Sequence, residues 1–240
     1  MRCLALVFCL LFPAAVTAAA EFPPVDSALV LVTDVSRSID DKEFQLEKQG
    51  YITAFNDPRV IAAIKAGPNG RIIVAYIEFA GADQVRTVLD WTVIDGETTA
   101  SAFGTALDTA PRSFYGRTAI GSGLDLAVQM LAEPKLKGAR LIVDVAGDGT
   151  SNAGPPVTEI RDQAVAAGIT INGLAIVNDH PESYSFAHVQ PPGGLPQWYR
   201  DNVAGGPYNF VLEVHDFHTF GEAMARKLLS EIAGFGRPKG

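Results

Sequence analysis

The chain has 240 residues, 48% of them hydrophobic and 19% charged, with a formal net charge of −8. That length supports a sizeable core, and an acidic balance without clustered Lys and Arg argues against a nucleic-acid partner. Past residue 20, no apolar run approaches the ~20 residues of a membrane-spanning helix.

The first segment, "MRCLALVFCLLFPAAVTAAA", has one early positive charge (Arg2), an apolar stretch from Leu4 to Leu11, and small residues at Ala18 and Ala20. This is the layout of a secretory leader, so residues 1–20 are expected to be a signal peptide and residues 21–240 one exported domain. Both cysteines, Cys3 and Cys9, fall within the leader. The mature chain would then work without disulfides in a compartment where disulfides persist.

Beyond the leader, strand and helix patterns alternate. Ala28 to Val32 is apolar on both faces, as in a central parallel strand covered on each side. A helix is predicted from about Asp41 to Ala54, with Asp40 and Glu43 at capping-box spacing. "RIIVAYIEFA" and "VRTVLDWTVI" read as two strands joined tightly through Gly81-Ala82-Asp83, an antiparallel hairpin. A helix from about Thr98 to Asp108 leads into the loop "PRSFYGRT". The following helix carries Ile120, Leu124, Ala127 and Leu131 as an amphipathic stripe.

"ARLIVDVAGDGTSN" is a strand ending in polar residues. "PPVTEIRDQAVAAG" is a helix with prolines at its start and Gly168 as its C-terminal stop. "ITINGLAIV" and "YNFVLEV" are further strands, and a last helix carries Phe217, Phe220, Met224, Leu228 and Ile232 on one side. Residues 178–200 read as an irregular insertion. A loop of that length tends to be functional or disordered, and Tyr184, Phe186, Trp198 and Tyr199 make it a candidate partner-binding surface. This alternation predicts an open, doubly wound α/β sheet, mainly parallel with one antiparallel edge strand. Ligands of such sheets sit beyond the carboxyl ends of the strands, near the switch in strand order.

The chemistry concentrates where strands end. "DVSRS" sets Asp34, Ser36 and Ser38 at alternate positions after the first strand, so an extended chain can point all three the same way. Carboxylates and hydroxyls make a hard-oxygen environment suited to Mg²⁺ or Mn²⁺ rather than zinc or copper. Each residue also has an ordinary reading: Asp34 and the serines as turn and helix-start groups, Thr118 in "GRTAIGSGL" as an N-cap, Asp148 in "VAGDGTSN" as a turn residue. Asp144 interrupts a buried strand, where an unpaired carboxylate is costly. It reads either as a hydrogen-bonded support or as a group that orients the metal site from behind.

Together, the DxSxS after the first strand, the threonine in G-x-T-x-x-G-x-G-L and the Asp-Gly after the fourth strand resemble a von Willebrand factor A (VWA) domain. The likeness runs from about residue 26 to 234, and is nearest to uncharacterised secreted bacterial proteins that pair DVSxSID with VDVAGDG. It implies a Rossmann-like VWA fold and a metal-ion-dependent adhesion site made of Asp34, Ser36, Ser38, Thr118 and Asp148. In that family the serines and threonine contact the metal directly or through water, and the aspartates often act through water. One coordination position then remains for a partner's Asp or Glu carboxylate. The resemblance thus implies a binding module rather than an enzyme, with a divalent cation (Mg²⁺, or Mn²⁺ or Ca²⁺) as cofactor. Partner identity and oligomeric state are not encoded in these motifs.

Four other readings compete with this one. An early aspartate with a later "GDG" also resembles haloacid dehalogenase phosphatases, but Ser36 occupies the position of their acid-base aspartate. A VWA fold with a vestigial metal site is the structural alternative. The histidines His180, His188, His215 and His218 include the pair in "HDFH", without a cysteine or third close ligand to complete a zinc site. Ser122 lacks the G-x-S-x-G elbow of a hydrolase and reads as a small packing residue.

Overall fold

The computed structural model describes residues 22–136, 138–177, 191–215 and 217–233. Six strands form one sheet in the order β3-β2-β1-β4-β5-β6. They are β1 (Ser27–Asp34), β2 (Ile72–Phe79), β3 (Val85–Ile94), β4 (Arg140–Gly147), β5 (Thr170–Ile176) and β6 (Val211–Val214). Among the described strands only the β2–β3 pairing is antiparallel, which makes β3 the antiparallel edge expected from the short Gly81-Ala82-Asp83 link. Every residue of β1 is buried. A strand apolar on both faces needs a cover on each, and the helices supply it.

On one face, α1 (Asp41–Phe55), α2 (Pro58–Lys65), α3 (Glu97–Thr109) and α7 (Phe220–Ala233) pack on Leu29, Leu31, Val74, Tyr76 and Ile142. On the other, α4 (Ile120–Leu131), α5 (Val157–Ala166) and α6 (Leu195–Asn202) pack on Val30, Val32, Ile73, Ile77, Val143 and Val145. The odd–even division along each strand follows from side chains alternating across the pleat.

Local signals act where expected. Glu43 N donates to the Asp40 carboxylate at 2.8 Å and Asp40 N to that of Glu43 at 2.9 Å, completing the capping box of α1. Gly168 follows α5 with φ +82°, a left-handed conformation that glycine adopts without strain. The stripes Ile120–Leu124–Ala127–Leu131 and Phe217–Phe220–Met224–Leu228–Ile232 are buried as predicted.

Two helices differ from the sequence reading. α2 had no counterpart in it, although Asp57 caps it and Pro58 stands in its first turn, a standard start signal. Part of the supposed irregular stretch 178–200 is also helical: α6 begins after Gly194, with Pro196 in its first turn and Leu195 and Tyr199 buried. The Pro- and Gly-rich composition hid a short helix whose stability comes from packing rather than propensity.

Candidate metal centre

β1 and β4 are neighbours on either side of the switch in winding, and both strands end on one rim. The chain leaving β1 passes through Ser36 and Ser38 to α1. The chain leaving β4 passes through Asp148, and the loop before α4 brings in Thr118. Ser38 Oγ donates to Asp148 Oδ1 at 2.9 Å. The Ser36 and Ser38 hydroxyls are 3.0 Å apart, and Thr118 Oγ1 donates to Ser36 Oγ at 3.2 Å. Asp34 Oδ1 accepts from Ser36 N at 2.7 Å, folding the loop back over the strand end. Asp148, Ser38, Ser36 and Thr118 therefore form one run of hydrogen-bonded oxygens, and Asp34, at the end of β1, joins it through the Ser36 backbone N–H.

Two of the ordinary readings are now decided by hydrogen bonds. Thr118 does not cap α4: the N-cap is Ala119, without a side-chain cap bond, and the threonine hydroxyl turns to Ser36 instead. Asp148 does more than shape a turn, because it ties the β4 end to the β1 loop. Ser122 keeps its packing role, buried with Oγ donating to Ala82 O at 2.9 Å.

The loop after β1 is built around a residue the sequence did not single out. Arg112 Nη2 donates to the backbone carbonyls of Val35, Ser36 and Ile39 at 2.9, 2.9 and 2.8 Å. Its guanidinium stacks over Tyr115, 4.1 Å from the ring centroid. Three carbonyls converging on one planar cation hold Ser36 and Ser38 in place. Tyr115, 60% exposed, is a rim aromatic that the sequence reading also passed over. Arginine in "PRSFYGRT" reads as an ordinary loop cation until the fold brings the β1 loop around it.

The interior behind the rim is electrically negative. Glu47 on α1 is buried, and among the described residues neither carboxyl oxygen has a hydrogen-bond partner. Burial first, then the nearby Asp34 and Asp148 carboxylates, push its pKa well above the usual range. Tyr199 is raised by burial and by the same two aspartates. A cation fits such a place on two counts: the donor set is all hard oxygen, and its charge would offset the Asp34 and Asp148 carboxylates, which add to burial in raising Glu47 and Tyr199.

The aromatic candidates separate. Tyr199 is fully buried in the core beneath the sheet, so it cannot face a partner. A Cβ on Gly147 would lie 2.8 Å from its hydroxyl and 3.0 Å from Asp34 Cβ, so the glycine at the end of "VDVAG" lets both side chains approach the strand end. Trp198 is half-buried and lines a shallow cleft of about 330 Å³ with Asn152, Pro155 and Pro156. Tyr184 and Phe186 lie outside the described residues, as do His180 and His188. Among the described residues, no group of three or more His, Cys, Asp or Glu side chains is placed to hold a metal, so "HDFH" gains no third ligand.

Asp144 has a partner the sequence did not name. Lys227 of α7 forms an ion pair with it and also donates to Glu231 Oε1 at 2.6 Å; all three side chains are buried. Asn172 Nδ2 donates to the same Glu231 oxygen at 2.7 Å. Among the described residues, no hydrogen bond links Asp144 to the five rim residues. Its ion pair joins β4 to α7.

A sheet wound in this order, with DxSxS, threonine and aspartate loops on one rim, has a VWA-like fold, and solved structures agree. Proximal thread matrix protein 1 from the mussel byssus, solved with a zinc-occupied MIDAS motif, superposes with a TM-score of 0.62 at 21% identity, over 89% of this chain and 49% of that one. A von Willebrand factor type A structure from Catenulispora acidiphila gives 0.59 at 15% identity, over 87% and 43%. A pilus adhesin from Lactobacillus rhamnosus GG gives 0.55 at 14%, over 90% and 31%. The chain thus spans half or less of the length of these proteins. Comparison with curated proteins gave no match. Over residues 24–236 the chain belongs to the family described as "Protein of unknown function (DUF1194)".

Proposed function

We propose that this protein is an exported, divalent-metal-dependent binding module that captures an acidic group of a partner protein and catalyses no reaction. The observation that carries the reading is the convergence of the Ser36, Ser38 and Thr118 hydroxyls and the Asp148 carboxylate in one hydrogen-bonded run, with Asp34 tied to it through Ser36 N. Ser36, Ser38 and Thr118 would hold the cation with their hydroxyls, and Asp34 and Asp148 would balance its charge. When bound, Mg²⁺, Mn²⁺ or Ca²⁺ supplies an electrophilic position for a partner's Asp or Glu carboxylate. Arg112 keeps the two serines aligned, so little ordering remains to be done on binding.

The adhesin and the zinc-bearing matrix protein among the similar folds support this class of role. The leader-like residues 1–20 support export, to the periplasm or beyond, and no described helix is long and apolar enough to cross a membrane.

The test is thermal unfolding in EDTA and then in millimolar Mg²⁺, Mn²⁺ or Ca²⁺, beside Asp34→Ala. A cation at a hundred times its dissociation constant stabilises by about 2.7 kcal/mol. The expected result is a metal-dependent rise that the variant lacks. No rise in the unaltered protein would leave the vestigial-site reading standing instead.

A further inference from the structure

The oxygen cluster opens into a cleft of about 380 Å³ lined by Ser36, Arg37, Ser38, Gly116, Arg117, Thr118 and Asn152. Arg37 and Arg117 are both exposed on its wall. Neither pairs with any described carboxylate, although the chain carries 27 acidic residues against 19 basic ones. The loops that present them are fastened together. Arg37 N donates to Gly116 O at 3.0 Å, and Asn152 Oδ1 accepts from both Thr118 N at 3.0 Å and Arg117 Nε at 3.3 Å.

Two guanidinium groups beside a cation site oppose the cation by like charge. The arrangement becomes favourable when an anion brings charge for both. A single carboxylate on the metal leaves the arginines unanswered. A guanidinium fork matches a carboxylate with two parallel hydrogen bonds. Past Asn152, the same wall continues into the cleft formed by Ser151, Pro155, Pro156 and Trp198. That extension has room and apolar surface for chain beyond the acidic group, which a free small anion would not use.

Building on the proposed metal site, we infer that the partner presents an extended segment with two carboxylates: one directed to the metal, the second to Arg37 and Arg117. The arginines are then specificity determinants, selecting paired acidic side chains over a lone Asp or Glu.

The experiment uses fluorescein-labelled Gly/Ser peptides carrying one Asp, and a series with a Glu added at successive positions after it, measured by anisotropy in millimolar Mg²⁺. The proteins are the unaltered chain, the double variant Arg37→Gln/Arg117→Gln, Asp148→Ala, and Arg86→Gln as a control for loss of an exposed charge elsewhere. The expected result is that at least one two-acid spacing binds about tenfold tighter than the one-acid peptide, the scale of one charge-assisted contact. That advantage should vanish in the double variant, remain in Arg86→Gln, and shrink as salt rises. Mg²⁺-dependent thermal stabilisation should persist in the double variant.

Equal affinity for one- and two-acid peptides, with both lost in Asp148→Ala, overturns the arginine assignment and leaves the metal reading intact. A two-acid preference that survives in the double variant also overturns it. Absence of Mg²⁺-dependent binding by every peptide overturns it too. If Mg²⁺ then also fails to stabilise the protein, the failure lies in the metal reading itself.

Discussion

Strand β4 carries Asp144 within it, and Asp148 follows just past its end, four residues on; the two aspartates meet different fates. Asp144, inside the sheet, is answered by Lys227 from the same chain, and Glu231 and Asn172 close the group. Asp148, at the rim, accepts from the Ser38 hydroxyl, which continues through Ser36 to Thr118, with Asp34 held against the same loop by Ser36 N. Asp144 is buried and Asp148 half-exposed. A carboxylate with no access to solvent must carry its counter-charge within the fold, since desolvating it alone is prohibitive. At the rim, a cation can come from solution. The position of an acidic residue along one strand thus separates a structural ion cluster from a site suited to an external ligand.

The strongest way to break this comparison is Lys227→Met. It would leave Asp144 and Glu231 buried without their lysine, and breaking a buried pair this way costs about 3–5 kcal/mol. Urea unfolding should show that loss, while the Mg²⁺-dependent increment of the surviving folded protein stays unchanged. If the increment disappears in a variant still folded by circular dichroism, the two clusters are coupled and their separation fails.

The lower cluster should also leave a signature in pH. Burial, followed by the neighbouring Asp144 carboxylate, raises Glu231 from 4.5 to about 8. Glu47 is raised from the same starting value, by burial first and then by Asp34 and Asp148. For both, the folded state binds a proton that the unfolded state has released, so stability is fullest below 4.5. The Glu231 part falls as pH climbs from 4.5 toward 8, by up to about 1.4 kcal/mol per pH unit, and Glu47 adds a loss of the same sign. Urea midpoints between about pH 5 and about pH 8.5 should decline, and Glu231→Gln should flatten the decline. A flat profile in the unaltered protein would mean that Glu231 and Glu47 both fold in ionised.

The upper cluster is sharpened by Arg112→Met, which keeps the stem but removes the donor to three loop carbonyls. The expected loss is about 2 kcal/mol, the scale of a hydrogen bond from a charged group. Unlike Lys227→Met, it should also weaken the Mg²⁺ response, because Ser36 and Ser38 lose their support. Thermal shifts with and without Mg²⁺ measure both effects. A full metal response in this variant would show that the loop holds its shape without Arg112.

Much of this was legible before any coordinates, for local reasons. The Asp40–Glu43 cap, the Gly168 stop and the Gly81-Ala82-Asp83 hairpin are decided within a few residues, so their signals survive in the linear chain. The rim residues were legible because polar groups at the ends of apolar strands have few structural excuses. Other features were not. α6 hides in Pro- and Gly-rich sequence because its stability comes from Leu195 and Tyr199 reaching the core. Tyr199 looked like surface for the same reason. Arg112 and Lys227 read as ordinary cations, since their partners lie far away in sequence.

The sequence by itself determined the alternation of strands and helices, the apolar faces that make β1 central, and which oxygen-bearing residues stand at strand ends. These depend on periodicity and on the chemistry of single side chains. Only the tertiary structure decided that Asp144 belongs to Lys227, that Arg112 gathers the carbonyls of the β1 loop, and that Arg37 and Arg117 stand together beside Ser36 and Thr118. Pairing of charges is a matter of distance in space, and that distance is set only when β1, β4 and the loop before α4 come to one edge of the sheet.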